Sequence, residues 1–350
     1  MTLSPQFGGK VRKQDLANFE KSPQWNGKQF NNLIDTKMDI SIWNVPKLLV
    51  KTFSNTKERS PEKPIPVIPF NEVTFSPQDQ KPKFIWYGHS VLLLQLNGKN
   101  LLIDPMLGGD AAPIAPFTTK RFSQNSLKVI DELPQIDAVL LTHDHYDHLD
   151  LASIKKLMPK VNTWFVALGI SRHLEKWGVD ASQITEFDWW DEIAFEDIHL
   201  TFTPSRHFSG RGAFDRAKSL WGGWVFKTAE HNIYWSGDGG YGSHFAEVGK
   251  KLGPFDWAFM ECGQYNEQWQ AIHMYPEESV KAAVDAQAKV ATPVHWGGFS
   301  LALHSWKEPV ERFVAEAESQ GLKICTPEIG EVVLMEENRE ADYWWKRIDS

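Results

Sequence analysis

The segment Thr142-His143-Asp144-His145-Tyr146-Asp147-His148-Leu149-Asp150 constrains this chain more than any other stretch. It follows directly on Ala138-Val139-Leu140-Leu141, an apolar run of strand length. Three histidines and two carboxylates between positions 143 and 148 put imidazole nitrogens and carboxylate oxygens where one strand ends. Those are ligands that zinc and similar cations accept, and at a strand end they can converge on a cavity. A metal-free reading, three solvated loop histidines, leaves unexplained why a buried-looking strand precedes them.

The theme recurs. His207 follows the apolar run 199–203 through Pro204-Ser205-Arg206, Asp238 follows Ile233-Tyr234-Trp235-Ser236-Gly237, and His295 follows the run 290–294. Each alone is weak: a lone histidine is more often a hydrogen-bonded structural residue, and an Asp before Gly239-Gly240 is more often a turn residue. Together they repeat one arrangement, an apolar strand and then a ligand at its end. The recurrence argues for one shared site at one edge of the sheets.

Further strands read at 91–96 and 100–103, flanking the hairpin signal Asn97-Gly98, and at 164–168, 224–228, 257–260 and 332–335. Helical patterns lie between them. One spans 151–157 behind Asp150 as N-cap. A second is opened by Pro276, with Glu277 and Glu278 near its positive end, and a third covers 307–318. Strands with interspersed helices predict an α/β layered core. Residues 1–80 differ, being rich in Lys, Asn, Pro and Ser, and Ser60-Pro61-Glu62-Lys63-Pro64-Ile65-Pro66 excludes a helix or inner strand. They read as an irregular N-terminal arm packed on a core domain at 81–350.

Composition narrows the function classes. A net charge of −8 without any basic run argues against nucleic acid as partner. Two cysteines, Cys262 and Cys325, cannot build a disulfide framework and lack zinc-ribbon spacing, which fits a reducing, cytoplasmic compartment. Cys262 reads as a buried structural thiol. The start, MTLSPQFGGKVRKQ, has no apolar stretch and reads as neither signal peptide nor anchor. The 16 tryptophans are expected mainly in the core.

The set His143-x-His145-x-Asp147-His148, then His207, Asp238 and His295 in that order, resembles the metallo-β-lactamase superfamily over about residues 82–336. The resemblance implies an αββα sandwich with metals at one edge. Trp86-Tyr87-Gly88-His89-Ser90, Leu102-Ile103-Asp104-Pro105, Ser236-Gly237-Asp238-Gly239-Gly240-Tyr241, Pro293-Val294-His295-Trp296-Gly297, and Tyr275-Pro276-Glu277-Glu278 preceded by His273 look like the N-acyl-phosphatidylethanolamine phospholipase D group, related to the ascorbate-6-phosphate lactonases.

By that resemblance His143, His145 and His207 hold one divalent metal, Asp147, His148 and His295 hold a second, and Asp238 bridges them. A hydroxide between the metals is the implied nucleophile. Zinc is taken first, with manganese or iron as alternatives. Asp147, beyond its place as a ligand, and His273 are expected to bear directly on turnover; His273 would bind or protonate a phosphate oxygen, although a structural hydrogen bond explains it equally well. His89 and Asp104 are expected to orient ligand imidazoles; Asp104 before Pro105 could also simply start a turn. His244 and His304 stay unassigned.

The implied activity is a metal-dependent phosphodiesterase that cleaves N-acyl phosphatidylethanolamine to phosphatidic acid and an N-acylethanolamine. The alternative is a lactonase or esterase acting on a small metabolite, phosphorylated or not, because the ligands alone do not distinguish attack at carbon from attack at phosphorus. The partner is accordingly a phospholipid or a small-molecule ester. Trp25, Phe30, Ile40, Ile42 and Trp43 in the arm either pack inward as a seam or form a lip touching a membrane surface.

Overall fold

The apolar runs become strands of two seven-stranded sheets. The computed structural model describes residues 4–37, 58–76, 78, 80–112, 118–212, 214–337 and 341–348. One sheet holds β1 (Lys83–Trp86), β2 (Leu92–Leu96), β3 (Lys99–Ile103), β4 (Ile136–Leu141), β5 (Val161–Ala167) and β6 (Ile184–Phe187), with β14 (Val332–Leu334) outside β1. The other runs, in spatial order, β13 (Lys323–Ile324), β12 (Val290–Val294), β11 (Trp257–Glu261), β10 (Asn232–Trp235), β9 (Gly222–Lys227), β8 (Ile198–Pro204) and β7 (Glu192–Phe195). The β2–β3 hairpin turns at Asn97 and Gly98, both at positive φ (49° and 71°), as the Asn-Gly pair requires.

The sheets pack face to face through aromatic side chains. Phe84 of β1 meets Trp257 and Phe259 of β11 at 5.5 and 4.8 Å, and Phe187 of β6 meets Trp224 of β9 at 5.0 Å. Edge-on contacts of this kind add to the burial of two large rings. Most tryptophans are buried, among them Trp86, Trp164, Trp221, Trp224, Trp235 and Trp296, so the aromatic excess goes chiefly into the core. Helices Leu151–Leu157 and Ser171–Trp177 connect strands of the first sheet; Pro276–Asp285 and Glu308–Gln320 do so in the second. Asp150 caps the first of these, its Oδ2 accepting from the Ser153 amide at 2.8 Å. The result is the αββα sandwich.

Strand direction fixes where the site lies. β3 and β4 pair in parallel, and β1 runs the same way because both β1 and β3 are antiparallel to β2. In the second sheet β10, β11 and β12 are mutually parallel, and β8 and β10 share a direction because each is antiparallel to β9. The C-terminal ends of like-directed strands share an edge. A two-residue bridge joins the sheets there: the His89 amide donates to Trp296 O at 2.7 Å and the His295 amide to His89 O at 2.8 Å.

Among its described residues the arm carries regular elements that the sequence reading missed, a 3-10 turn, Pro5–Phe7, and a two-turn helix, Lys13–Phe19, the latter opened by Asp15 accepting from the Arg12 amide at 2.6 Å. Its last residue, Phe19, is buried against Trp25 and Phe30, with ring centroids 5.1 Å from each. Trp25 and Phe30 therefore pack inward as a seam, not outward as a lip. Ile40, Ile42 and Trp43 lie outside the described residues. Among the described residues no helix is long and apolar enough to cross a membrane.

Candidate metal centre

Every predicted ligand comes to that shared edge. His143 follows β4, His207 follows β8, Asp238 follows β10 and His295 follows β12. Sharp turns at these ends aim the side chains across the edge. His89, Asp104 and His295 all sit at positive φ (55°, 42° and 67°), a conformation that costs a non-glycine residue about 1–3 kcal/mol and is retained where the surroundings over-determine it. Between Ser236 and Asp238 the turn demands glycine: Gly237 has φ 63°, and a Cβ there would lie 2.2 Å from Gly222 O.

Two ligand groups result. His143, His145 and His207 form one, with His145 Nδ1 at 2.9 Å from His143 Nε2 and 3.1 Å from His207 Nε2. His148, His295 and Asp147 form the other, joined by His89. Asp238 lies between them: its Oδ2 is 3.0 Å from His148 Nε2 and 3.3 Å from His295 Nε2, and 3.9 and 4.0 Å from the Nε2 atoms of His143 and His207. One carboxylate oxygen thus faces nitrogens of both groups, as a bridging residue must.

The surrounding residues set tautomers. Asp104, buried at the end of β3, accepts from the Thr142 amide at 2.8 Å and its hydroxyl at 2.6 Å, and stands 2.9 Å from His148 Nδ1. Asp104 holds the proton on Nδ1, the role expected of it; Asp238, Asp147 and Asp104 raise His148 well above the ordinary histidine range against its burial, so a cation at the site would displace the proton on Nε2 and take that lone pair. His207 Nδ1 is held likewise by Ile272 O at 2.9 Å, and Ser90 Oγ lies 3.0 Å from His295 Nδ1. His89 departs from expectation. Its Nε2 contacts the Asp147 carboxylate at 2.8 Å, so it orients a carboxylate and not an imidazole.

Burial first, and then the neighbouring imidazoles, hold His143 and His207 well below the ordinary histidine range; burial and His89 do the same for His295. These rings are neutral, the form in which an imidazole donates a lone pair to a metal. Asp147 is held well below the carboxylate range because His148 and His89 outweigh its burial. His295 Nε2 is fully buried with no hydrogen-bond partner. A buried nitrogen without a partner is costly unless something accepts its lone pair, so the donor set fits divalent cations by both chemistry and this vacancy in its hydrogen bonding.

His273 stacks on His295 (ring centroids 5.2 Å, planes 9° apart) and lies 5.0 Å from the His207 ring. Its Nδ1 meets Glu261 Oε1 at 3.0 Å, while the Met274 amide donates to Glu261 Oε2 at 3.1 Å. Burial pushes the Glu261 carboxyl up to about 8, and Glu261 raises His273 against its own burial. Nδ1 is thus taken up by Glu261, and His273 Nε2 is left for a ligand. Glu261 was missed in the sequence because the strand was read as ending at Met260; a carboxylate closing a buried strand is the same signal that marked Asp238. His304 stacks on Tyr265 at 4.3 Å, and His244 is buried beside Phe245 at 4.1 Å, neither within the ligand groups. Cys262 is buried, as expected.

A family model described as the beta-lactamase superfamily domain matches residues 99–296, more than half the chain. An uncharacterized protein of Mycobacterium tuberculosis is 34% identical over 93% of this chain and 88% of its own length. The N-acyl-phosphatidylethanolamine-hydrolyzing phospholipase D 1 of Caenorhabditis elegans is 28% identical over 86% of both. Among solved structures, Igni18, a metallo hydrolase of Ignicoccus hospitalis, superposes with a TM-score of 0.56 at 20% identity, over 72% of this chain and 97% of its own. That likeness concerns the fold; the sequence matches and the convergent His/Asp edge carry the rest, and the chain belongs to the metallo-β-lactamase superfamily of metal-dependent hydrolases.

Proposed function

We propose that this protein is a phosphodiesterase that cleaves N-acyl phosphatidylethanolamine, with His143, His145 and His207 on one divalent metal, Asp147, His148 and His295 on a second, and Asp238 shared. The observation that carries this reading is the joint one: a phospholipase D relative aligned over 86% of both chains, with every motif residue converging at one edge. Bound cations at such a centre acidify a water and neutralise charge on a phosphoryl oxygen.

The chain's own residues supply the rest. Asp104, Ser90 and Ile272 O fix the ring nitrogens that point inward. His273, with its Nδ1 side held by Glu261, presents Nε2 to a phosphate oxygen or a leaving alkoxide; Glu261 favours the imidazolium, and the proton it would give to a leaving alkoxide is the one on Nε2. A cavity of about 230 Å³ adjoins His207, lined by Ile34, Phe208, Arg216, Trp221 and Ile272 among others. That volume lies below the usual range for whole ligands, roughly 300–1,000 Å³. Of the ligand residues His207 alone lines the cavity, so it offers room for a substituent beside the centre, with acyl chains lying outside at the surface. Leu33, Ile34 and Phe214 are exposed apolar side chains, Ile34 on the cavity wall itself, and they replace Trp25 and Phe30 as the candidate membrane-facing residues.

The small cavity equally favours a second reading, a lactonase or esterase for a compact metabolite. Metal-loaded protein assayed on bis(p-nitrophenyl) phosphate, N-acyl phosphatidylethanolamine, simple lactones and RNA separates them. Diester turnover is expected. Strong lactone turnover with no diesterase activity under zinc, manganese or iron would overturn the phosphodiesterase reading.

A further inference from the structure

Two hydrogen-bonding groups of His207 are held by a residue 175 positions earlier in the chain. The His207 amide donates to Asn32 Oδ1 at 3.0 Å, and Asn32 Nδ2 donates to His207 O at 2.8 Å. This reciprocal pair does for one residue what a sheet neighbour would do, past the end of β8. The Trp221 indole N–H also donates to Asn32 Oδ1, at 3.0 Å. With two donors on the oxygen and a carbonyl facing the nitrogen, the amide has one orientation consistent with its surroundings. The asparagine amide supplies the acceptor and the donor side by side on one short planar group.

The arm also braces the other ligand-bearing loop from behind. Arg211, buried, donates to Gln6 O at 2.8 and 3.0 Å and, through Nη1, to Asp144 O and Leu149 O at 2.7 Å each. The Gly9 amide donates to His173 Nδ1 at 3.1 Å, and His173 Nε2 meets Asp144 Oδ2 at 3.3 Å. Asp144 stands between His143 and His145 and also accepts from Ser219 Oγ and the Gly210 amide, both at 2.7 Å. The approach is close: a Cβ on Gly9 would lie 2.0 Å from Arg172 O. Both loops that carry the first ligand group, His143 and His145 on one and His207 on the other, are therefore held by residues of the arm.

We infer that Asn32 is a positioning residue for His207, and that the arm is a working part of the metal centre and not only a cover on the domain. The inference rests on the two-metal reading above. Backbone hydrogen bonds on both sides of the His207 Cα fix the direction of its side chain, and Ile272 O then fixes its rotation. Among the described residues Asn32 makes the arm's hydrogen bonds to the His207 backbone, and without it these are lost while the second ligand group is untouched.

The test is zinc titration of metal-free full-length protein against a chromophoric chelator, for the parent protein, Asn32→Ala and Phe19→Leu. Phe19→Leu destabilises the same arm without touching a ligand loop. The parent protein is expected to bind two equivalents. Asn32→Ala should weaken one equivalent by at least about tenfold, the range seen when an outer partner of a ligand is removed, and leave the other within about twofold. Phe19→Leu should leave both unchanged. Should Asn32→Ala fail to fold, Asn32→Asp serves: it keeps both accepted bonds and loses only the one donated to His207 O, so weakening of one equivalent is again expected. Equal affinities in parent and Asn32 variants, or the same loss in Phe19→Leu, would overturn the inference. A parent protein that takes up two equivalents separates that failure from failure of the metal reading; one that binds no metal overturns both.

Discussion

Replacing Asp104 by asparagine isolates the work done by one buried carboxylate that touches no candidate metal position. Aspartate accepts three hydrogen bonds, from the Thr142 amide, the Thr142 hydroxyl and His148 Nδ1. Asparagine is isosteric and keeps an oxygen for the Thr142 amide. Its NH₂ then faces the hydroxyl and the imidazole, so two charge-assisted bonds are lost, at about 1.5 kcal/mol or more apiece. Asp104 is fully buried, so solvent does not screen the loss. The expected destabilisation of metal-free protein is about 3 kcal/mol. The NH₂ also favours the tautomer that carries the proton on His148 Nε2, removing the lone pair aimed at the site. Loss of such a partner costs about 10–100-fold in metal affinity, or roughly 1.4–2.7 kcal/mol. Urea unfolding of apo protein and chelator competition measure the two terms separately. An Asp104→Asn protein with affinity within twofold of the parent would refute the claim that this carboxylate sets the His148 tautomer.

Three further outcomes are expected. Asp238→Ala should leave less than one metal per chain by elemental analysis while His207→Ala keeps one, because one Asp238 oxygen faces nitrogens of both ligand groups and His207 belongs to one of them. Gly237→Ala should lower stability by about 2 kcal/mol or more, from the positive φ and the clash with Gly222 O, read as a lower urea midpoint. Stability should fall as pH drops below about 6.5. His173 and His244 are lowered from 6.5 to about 3 by burial and then by Arg172 and Arg206 respectively. Between those values the unfolded chain binds protons that the folded chain does not, so stability rises with pH across that window and is full above it. His244→Leu should reduce the slope by up to one proton, about 1.4 kcal/mol per pH unit; an unchanged slope would contradict the assignment.

The parts of this molecule that the sequence made legible are those where local pattern and tertiary role coincide. An apolar run followed by a ligand marked His143, His207, Asp238 and His295, because burying a strand forces its end to the sheet edge. Asn97-Gly98 declared its hairpin for an equally local reason, two residues at positive φ. Strands β6 and β7 escaped because ITEF and EIAF are half-exposed and weakly apolar. The helix Lys13–Phe19 escaped because seven residues do not hold a helix alone; it forms against the core through Phe19. Pairings such as Asn32 with His207 or Glu261 with His273 are set by the assembled fold. Asn32 in particular sits in a polar stretch that offers no sign of a partner 175 residues away. His89 was placed near the site, but its partner, Asp147, followed only from the turn at its positive φ.

The central claim is attack at phosphorus, and the oxygen's destination tests it most directly. Metal-loaded protein is incubated with N-acyl phosphatidylethanolamine vesicles in water enriched in oxygen-18, and the products are weighed by mass spectrometry. The account predicts phosphatidic acid carrying one heavy oxygen and N-acylethanolamine carrying none. Heavy oxygen in a released carboxylate, with no phosphatidic acid formed, would place the attack at carbon and contradict it.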